Sequence, residues 1–314
     1  MTAALEITRT ETTDRVLLRS PGLAQFRKSP FRVLRLSPDA TAKQAVWQCN
    51  KALARARVGM SLPDPDPVPW LPPCDEIEIQ EATQTMESPL ARIVEQLLWF
   101  DPTGDADGPV LIEALASADG SRLHGYLEAS RAPSTARRIN EANLRLLLVF
   151  SLLHDSGPTL VVDRGAAEPA AFAWQTKETL SVVEDPHKAV RPTATSHGAS
   201  ATWTGLIGGG VSAWGELLAS PEFADHVRAK IAALGDELLT SDDLEAVLSG
   251  LRTRIADLVV GETKLEIGQG RIDNVSQLSS IAGRSKIDAE TWLVAFRPLK
   301  TQFQSELADL APDA

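Results

Sequence analysis

Residues 41–58 read TAKQAVWQCNKALARARV and residues 62–73 read LPDPDPVPWLPP, and the fold turns on these two stretches. The first is rich in strong helix formers. Ala42, Ala45, Val46, Cys49, Leu53 and Ala56 recur on one side at helical spacing, and Trp47 falls near them. Lys43, Lys51, Arg55 and Arg57 lie mostly off that stripe, and Gly59 marks the stop. The second stretch has six prolines in twelve residues. Proline fixes φ and has no N–H, so this is neither a helix interior nor a central strand. An extended, stiff, polyproline-like connection is expected, which holds a fixed spacing at low entropic cost.

Working outward, Ser29-Pro30 is a turn signal before the short apolar run Phe31, Val33, Leu34 and Leu36, and Ser37-Pro38-Asp39 ends it. Residues 1–28 are expected as an N-terminal arm, with no helical period over 1–19. A second helical run is expected over Asp75 to Phe100, broken at Ser88-Pro89, where Ser88 is a good N-cap and Pro89 fits the first helical position. The Asp/Gly/Pro cluster from Asp101 to Pro109 is the best domain boundary. Beyond it, residues 110–118 and 121–130 suit short helices. Thr135 to His154 suits a longer one with a stripe of Ile139, Ala142, Leu146, Val149, Phe150 and Leu153. Thr159 to Val162 reads as a strand, and residues 184–202 read as a flexible loop. Helix is expected again over Trp203 to Leu218, from Ser220-Pro221, and from Ser241-Asp242-Asp243 with its end at Gly261. A last run from Trp292 to Leu310 contains Pro298, which bends or splits it. The expected class is mainly α: a helical hairpin over 29–100, then a larger helical domain over 110–314.

Charge is distributed unevenly along the chain. Residues 15–60 hold ten Lys or Arg and one acid, Asp39, whereas residues 74–113 hold ten acids and one base, Arg92. The whole chain carries −11, so the +9 and −9 blocks cancel and the remainder is acidic. Two readings stay open: the blocks neutralise each other inside the fold, or the basic face is held for an acidic partner.

Little in the chain points to chemistry. Cys49 and Cys74 are the only cysteines and form no C-x-x-C pair, so neither a disulfide framework nor a thiolate metal site is expected. His124, His154, His187, His197 and His226 show no compact ligand spacing. His154-Asp155-Ser156 has the letters of a triad, but adjacent side chains cannot take triad geometry. Gly208-Gly209-Gly210 lacks the Lys-Ser/Thr of a phosphate loop. No catalytic residue, cofactor or metal is expected. No apolar run approaches the roughly 18 residues of a membrane span, and the first residues lack a signal peptide's apolar core, so a cytoplasmic protein is expected. The basic block suits phosphates, but the overall acidity and the single aromatic in its helix weigh against nucleic acid.

The stretch Pro30-Phe31-Arg32-Val33-Leu34-Arg35-Leu36-Ser37-Pro38-Asp39-Ala40-Thr41 resembles the start of a J-domain, in which a short helix leads into a basic helix. Lys43 to Arg57 is similar to the second J-domain helix, and Glu81 to Pro89 to the pattern of the third. The likeness covers about a quarter to a third of the chain, residues 29–100. True J-domain co-chaperones carry His-Pro-Asp between these helices to stimulate ATP hydrolysis by a heat-shock chaperone. Here the connection holds Pro63-Asp64-Pro65-Asp66-Pro67 and no histidine. The resemblance therefore implies the hairpin and a basic docking face, without ATPase stimulation, as in degenerate J-like proteins of bacteria.

The function expected is a non-catalytic protein–protein adaptor or scaffold. Lys43, Lys51, Arg55 and Arg57 would face an acidic partner, such as a heat-shock chaperone, with Asp64, Asp66 and an apolar anchor at Trp70 on the proline loop. The alternatives are a subunit of a larger bacterial assembly such as a defence complex, and an enzyme with a site dispersed over 105–314.

Overall fold

A computed structural model describes residues 20–129, 133–153, 210–233, 243–268 and 287–296. Residues 1–19, the strand suggested at Thr159 to Val162, the loop at 184–202, the His154-Asp155-Ser156 triplet and the run beyond Phe296 lie outside the described residues. Of the described residues 73% are helical and none is in a strand, which makes the protein mainly α.

The helices are α1 (Pro21–Arg27), α2 (Pro30–Val33), α3 (Ala42–Arg57), α4 (Glu76–Glu87), α5 (Pro89–Leu97), α6 (Gly108–Ala116), α7 (Gly120–Glu128) and α8 (Thr135–Leu153). They are followed by α9 (210–218), α10 (Pro221–Ala233), α11 (Asp243–Gly268) and α12 (Ala289–Phe296). Local chemistry sets most of the starts. Thr41 accepts from the Gln44 N–H while Gln44 reaches back to the Thr41 N–H, and Asp75 and Glu78 form the same reciprocal pair. Ser88 accepts from the Ala91 N–H at 3.4 Å, with Pro89 at the first helical position.

Several ends are set by a left-handed residue. At the end of α3, Gly59 has φ 69°, its N–H donates to the Ala56 carbonyl and the Met60 N–H to the Arg55 carbonyl. Arg35 takes the same place after α2, at φ 53°, a conformation a side chain adopts only at a cost. Gly261 behaves differently from expectation. It does not stop α11, which runs on to Gly268; it lies inside the helix, where a β-carbon would sit 2.7 Å from the Pro21 ring. Its missing side chain lets α1 and α11 touch.

That contact corrects the expected arm. Residues 20–27 pack into the core, with Leu23 and Phe26 buried on α1. Ser20 donates to the fully buried Glu262 of α11, and the Gly22 N–H donates to the same carboxylate at 2.8 Å. Helix α1 also lies against α8, and α11 lies against α5 and α12. Apolar burial is continuous across the Asp101 to Pro109 segment: Trp99, Phe100, Leu111 and Ile139 belong to one cluster. The Asp/Gly/Pro segment itself is tied down. Asn140 donates to the Asp101 carbonyl at 2.8 Å, Arg137 to Asp107 at 2.8 Å, and the Tyr126 hydroxyl to Asp105.

The proline stretch is a bent strap, with a turn from Val68 to Leu71. It is not the straight rod that its proline content suggests, because Val68 and Leu71 are drawn into the core. Arg32 holds it there. Only 2% of its side chain is exposed, and its Nε and Nη2 grip both Asp66 oxygens at 3.1 and 2.9 Å. Its remaining donors reach the carbonyls of Arg27, Leu71 and Pro72 at 2.9, 2.7 and 3.1 Å. Nearby, Arg27 and Lys28 both hold Glu78. Desolvation pushes the Glu78 carboxyl up, but the hydrogen bonds from Arg27 and Lys28 prevail and hold it down at about 2.

Two outcomes follow. Arg32→Ala leaves Asp66 with Arg35 as its one remaining guanidinium and takes the Arg32 donors from the Leu71 and Pro72 carbonyls, so denaturant unfolding should show a loss of about 3–5 kcal/mol; a loss below about 1 kcal/mol contradicts the clamp. Because the folded-state value of Glu78 is depressed, its contribution is complete above the ordinary value of 4.5 and fades as pH falls toward about 2. Glu78→Gln should therefore lower the plateau above that window and flatten the acid limb of a stability-versus-pH curve within it.

Candidate functional site

Helix α3 divides cleanly into two faces. Ala45, Cys49 and Ala52 are buried on the side toward α4, and Gln48 is buried beside the strap, where it donates to Asp64. Lys43, Trp47, Asn50, Ala54 and Arg57 are exposed at steps of 4, 3, 4 and 3, with Val46 and Val58 beside them. Val46, expected in the buried stripe, is 61% exposed, and Trp47, expected near it, is 63% exposed. Met60, just past the helix end, is exposed as well. The Lys51 ammonium lies 4.9 Å from the Trp47 ring centroid, a cation–π contact that props the indole on the surface.

The cations of the basic block are split by position. Arg27, Lys28, Arg32 and Arg35 pair internally with Glu78, Glu81 and Asp66. On α3, Lys51 meets Asp64 at 3.2 Å, and the Arg55 Nε donates to the Ser61 carbonyl at 2.7 Å. Lys43 and Arg57 are exposed and make no ion pair among the described residues. Internal neutralisation therefore accounts for the cations of α1 and α2 and the residues just after them, and Lys43 and Arg57 lie outside it.

The remaining expected residues sit differently. Asp66 is locked under Arg32 and Arg35. Trp70 is half-buried, packs on the core, and donates its indole N–H to the Leu115 carbonyl at 3.0 Å. It fastens the strap to α6, and the exposed aromatic on this side is Trp47. Helical periodicity could have found Trp47, since 43, 47, 50, 54 and 57 form their own stripe, but an apolar residue invites assignment to the core.

Beside Trp47 lies a surface hollow of about 370 Å³. Arg35, Leu36, Ala40, Trp47, Lys51 and Asp64 are among its lining residues, with Asp39, Gln44 and Gln48. Asp64 is half-exposed, and the hydrogen bond from Lys51 is the first cause holding its carboxyl below the usual range. A second hollow of about 340 Å³ lies among α1, α4, α5 and α11. There burial pushes the Glu95 carboxyl up against the opposing charge of Arg254, and Gln25 donates to it at 2.9 Å. Arg254 also donates to Gln25 at 2.7 Å, so this trio joins α11 to α1 and α5.

Among the described residues no three His, Cys, Asp or Glu side chains converge as a metal site, and no helix is long and apolar enough to cross a membrane. Comparison with known families, curated proteins and solved structures gave no match.

The two tryptophans make the contrast measurable. Trp47→Ala should leave stability within about 0.5 kcal/mol, as surface changes do. Trp70→Ala should cost about 2 kcal/mol or more, through a lost apolar contact and the loss of the indole hydrogen bond to the Leu115 carbonyl. Equal effects in thermal melts would overturn this placement.

Proposed function

We propose that the chain is a non-catalytic protein–protein adaptor that docks an acidic partner on the outward face of α3. The observation that carries the reading is the character of that helix. Its 16 residues include no acid, in a chain of net charge −11, and its exposed face combines cations with Trp47, Val46 and Val58. A cationic surface steers an acidic partner into encounter, and an exposed indole supplies contact area at low entropic cost.

The order of parts around α3 supports the J-like likeness. A short helix precedes it, a strap follows it, and α4 packs along it. The chain then returns to the start of α3, where Arg92 donates to the Ala40 carbonyl and Gln96 to the Pro38 carbonyl. With Pro63-Asp64-Pro65-Asp66 in place of His-Pro-Asp, the reading is docking on a chaperone-class or other acidic partner without ATPase stimulation. The free thiols of Cys49 and Cys74 suit a reducing, cytoplasmic setting.

The test uses a photo-crosslinking amino acid at Asn50, in the middle of the exposed face, with Glu222 on α10 as the control position. Lys43→Glu with Arg57→Glu is the informative reversal, because Arg55 is engaged with its own turn. The Asn50 probe should capture a partner in native-host lysate, with a yield that falls at least tenfold in the double variant and drops as salt rises. Equal capture at Glu222, or capture indifferent to the reversal, would sink the reading.

A further inference from the structure

We propose that Asp64 is an internal stand-in for the partner's carboxylate, and that an acidic peptide segment with an apolar neighbour docks by displacing it from Lys51 and Gln48 into the hollow beside Trp47. This rests on the α3 docking face above and names the chemistry of its occupant.

The geometry is specific. One oxygen of Asp64 accepts from the Lys51 ammonium at 3.2 Å and from the Gln48 amide at 3.4 Å. Both donors line the hollow, as does Asp64 itself. The contact is weakly held: 49% of the Asp64 side chain is exposed, and the longer distance is at the limit of a hydrogen bond. Asp66, two residues along the strap, is in the opposite state, gripped by two guanidiniums. The strap stays fixed by Asp66 while the Asp64 carboxylate is free to exchange.

The occupant follows from what lines the space. Lys51 is the cation there that is held only by an exposed partner, since Arg35 is tied to Asp66 and to the Arg32 carbonyl. Leu36, Ala40 and Trp47 provide apolar wall next to it. A carboxylate at Lys51 with an aliphatic side chain against Trp47 satisfies both. Asp39 also lines the hollow and opposes any anion there, so a polymer charged at every unit, such as nucleic acid, meets more repulsion than a peptide of mixed acidic and aliphatic residues and lacks the aliphatic partner that the wall accepts.

The test reads fluorescence anisotropy of a short fluorescein-labelled peptide of repeating Glu-Glu-Leu with the full chain. The Glu-Glu-Ser and Lys-Lys-Leu versions and a labelled oligothymidylate serve as comparators. Wild type should bind Glu-Glu-Leu best and lose it with salt. Asp64→Asn should tighten it roughly two- to fivefold, the worth of releasing one exposed ion pair. Glu222→Gln, which removes the same charge on α10, should not, and Lys51→Gln should erase the gain.

If wild type binds and Asp64→Asn weakens the peptide, leaves it unchanged, or matches Glu222→Gln, the stand-in is overturned and the docking face stands. If no variant binds any acidic peptide, both fall together. Tighter binding of the oligothymidylate would assign the face to nucleic acid and overturn the proposal. Circular dichroism and an unchanged melting temperature for Asp64→Asn confirm that the strap is intact.

Discussion

A single buried guanidinium organises the N-terminal half of this fold. Arg32 has five N–H donors, and five acceptor contacts meet them: both Asp66 oxygens and the carbonyls of Arg27, Leu71 and Pro72. A cation taken out of water is tolerated only when its partners replace hydration in full, and here they do. The acceptors come from three separate places, the end of α1, the middle of the strap and its far end. A chain with six prolines in twelve residues has few N–H groups with which to bind itself to anything. Arg32 supplies the donors that the strap lacks, and Val68 and Leu71 follow into the core.

Placing the strap in this way decides how the remaining charge is used. The +9 block looks uniform in sequence, yet its members lie at different depths. Arg27, Lys28, Arg32 and Arg35 fall where α1 and α2 face α4 and the strap, and Glu78, Glu81 and Asp66 neutralise them. Helix α3 touches α4 through small side chains, Ala45, Cys49 and Ala52, so its cations point elsewhere. Burying a charge without a partner is costly, and α4 offers its acids to α1. Lys43 and Arg57 are left to solvent.

The legible parts of the sequence were those governed by local rules. Capping side chains and a proline at the first helical position mark helix starts through contacts within a few residues, and α5 and α10 begin where Ser88-Pro89 and Ser220-Pro221 place those signals. What could not be read depends on who comes from far away. Gly261 looks like a terminator until Pro21, 240 positions earlier, needs its empty side. Ser20 and Gly22 look like part of an arm until a carboxylate on α11 completes them. Val46 and Trp47 look like core because hydrophobic residues normally are. Only the fold shows that the α4 contact is one narrow line of small residues, too slim to cover them. Trp70 shows the reverse: a proline-rich loop suggests exposure, and a carbonyl on α6 takes the indole inward.

The strap's repeated Pro-Asp pair joins the inner and outer chemistry. Asp64 and Asp66 share a residue type, a proline on either side and nearly the same sequence context, so sequence alone gives no reason to treat them differently. Depth separates them. Asp66 faces two guanidiniums in a water-poor setting, where charge-assisted bonds are strong and long-lived. Asp64 faces one ammonium and an amide at the surface, where the same kind of bond is worth little. A strap pinned at one acid and loose at the next keeps a carboxylate poised at α3 without committing the helix to it. The clamp that builds the fold thereby also sets where Asp64 meets Lys51 and Gln48 of α3.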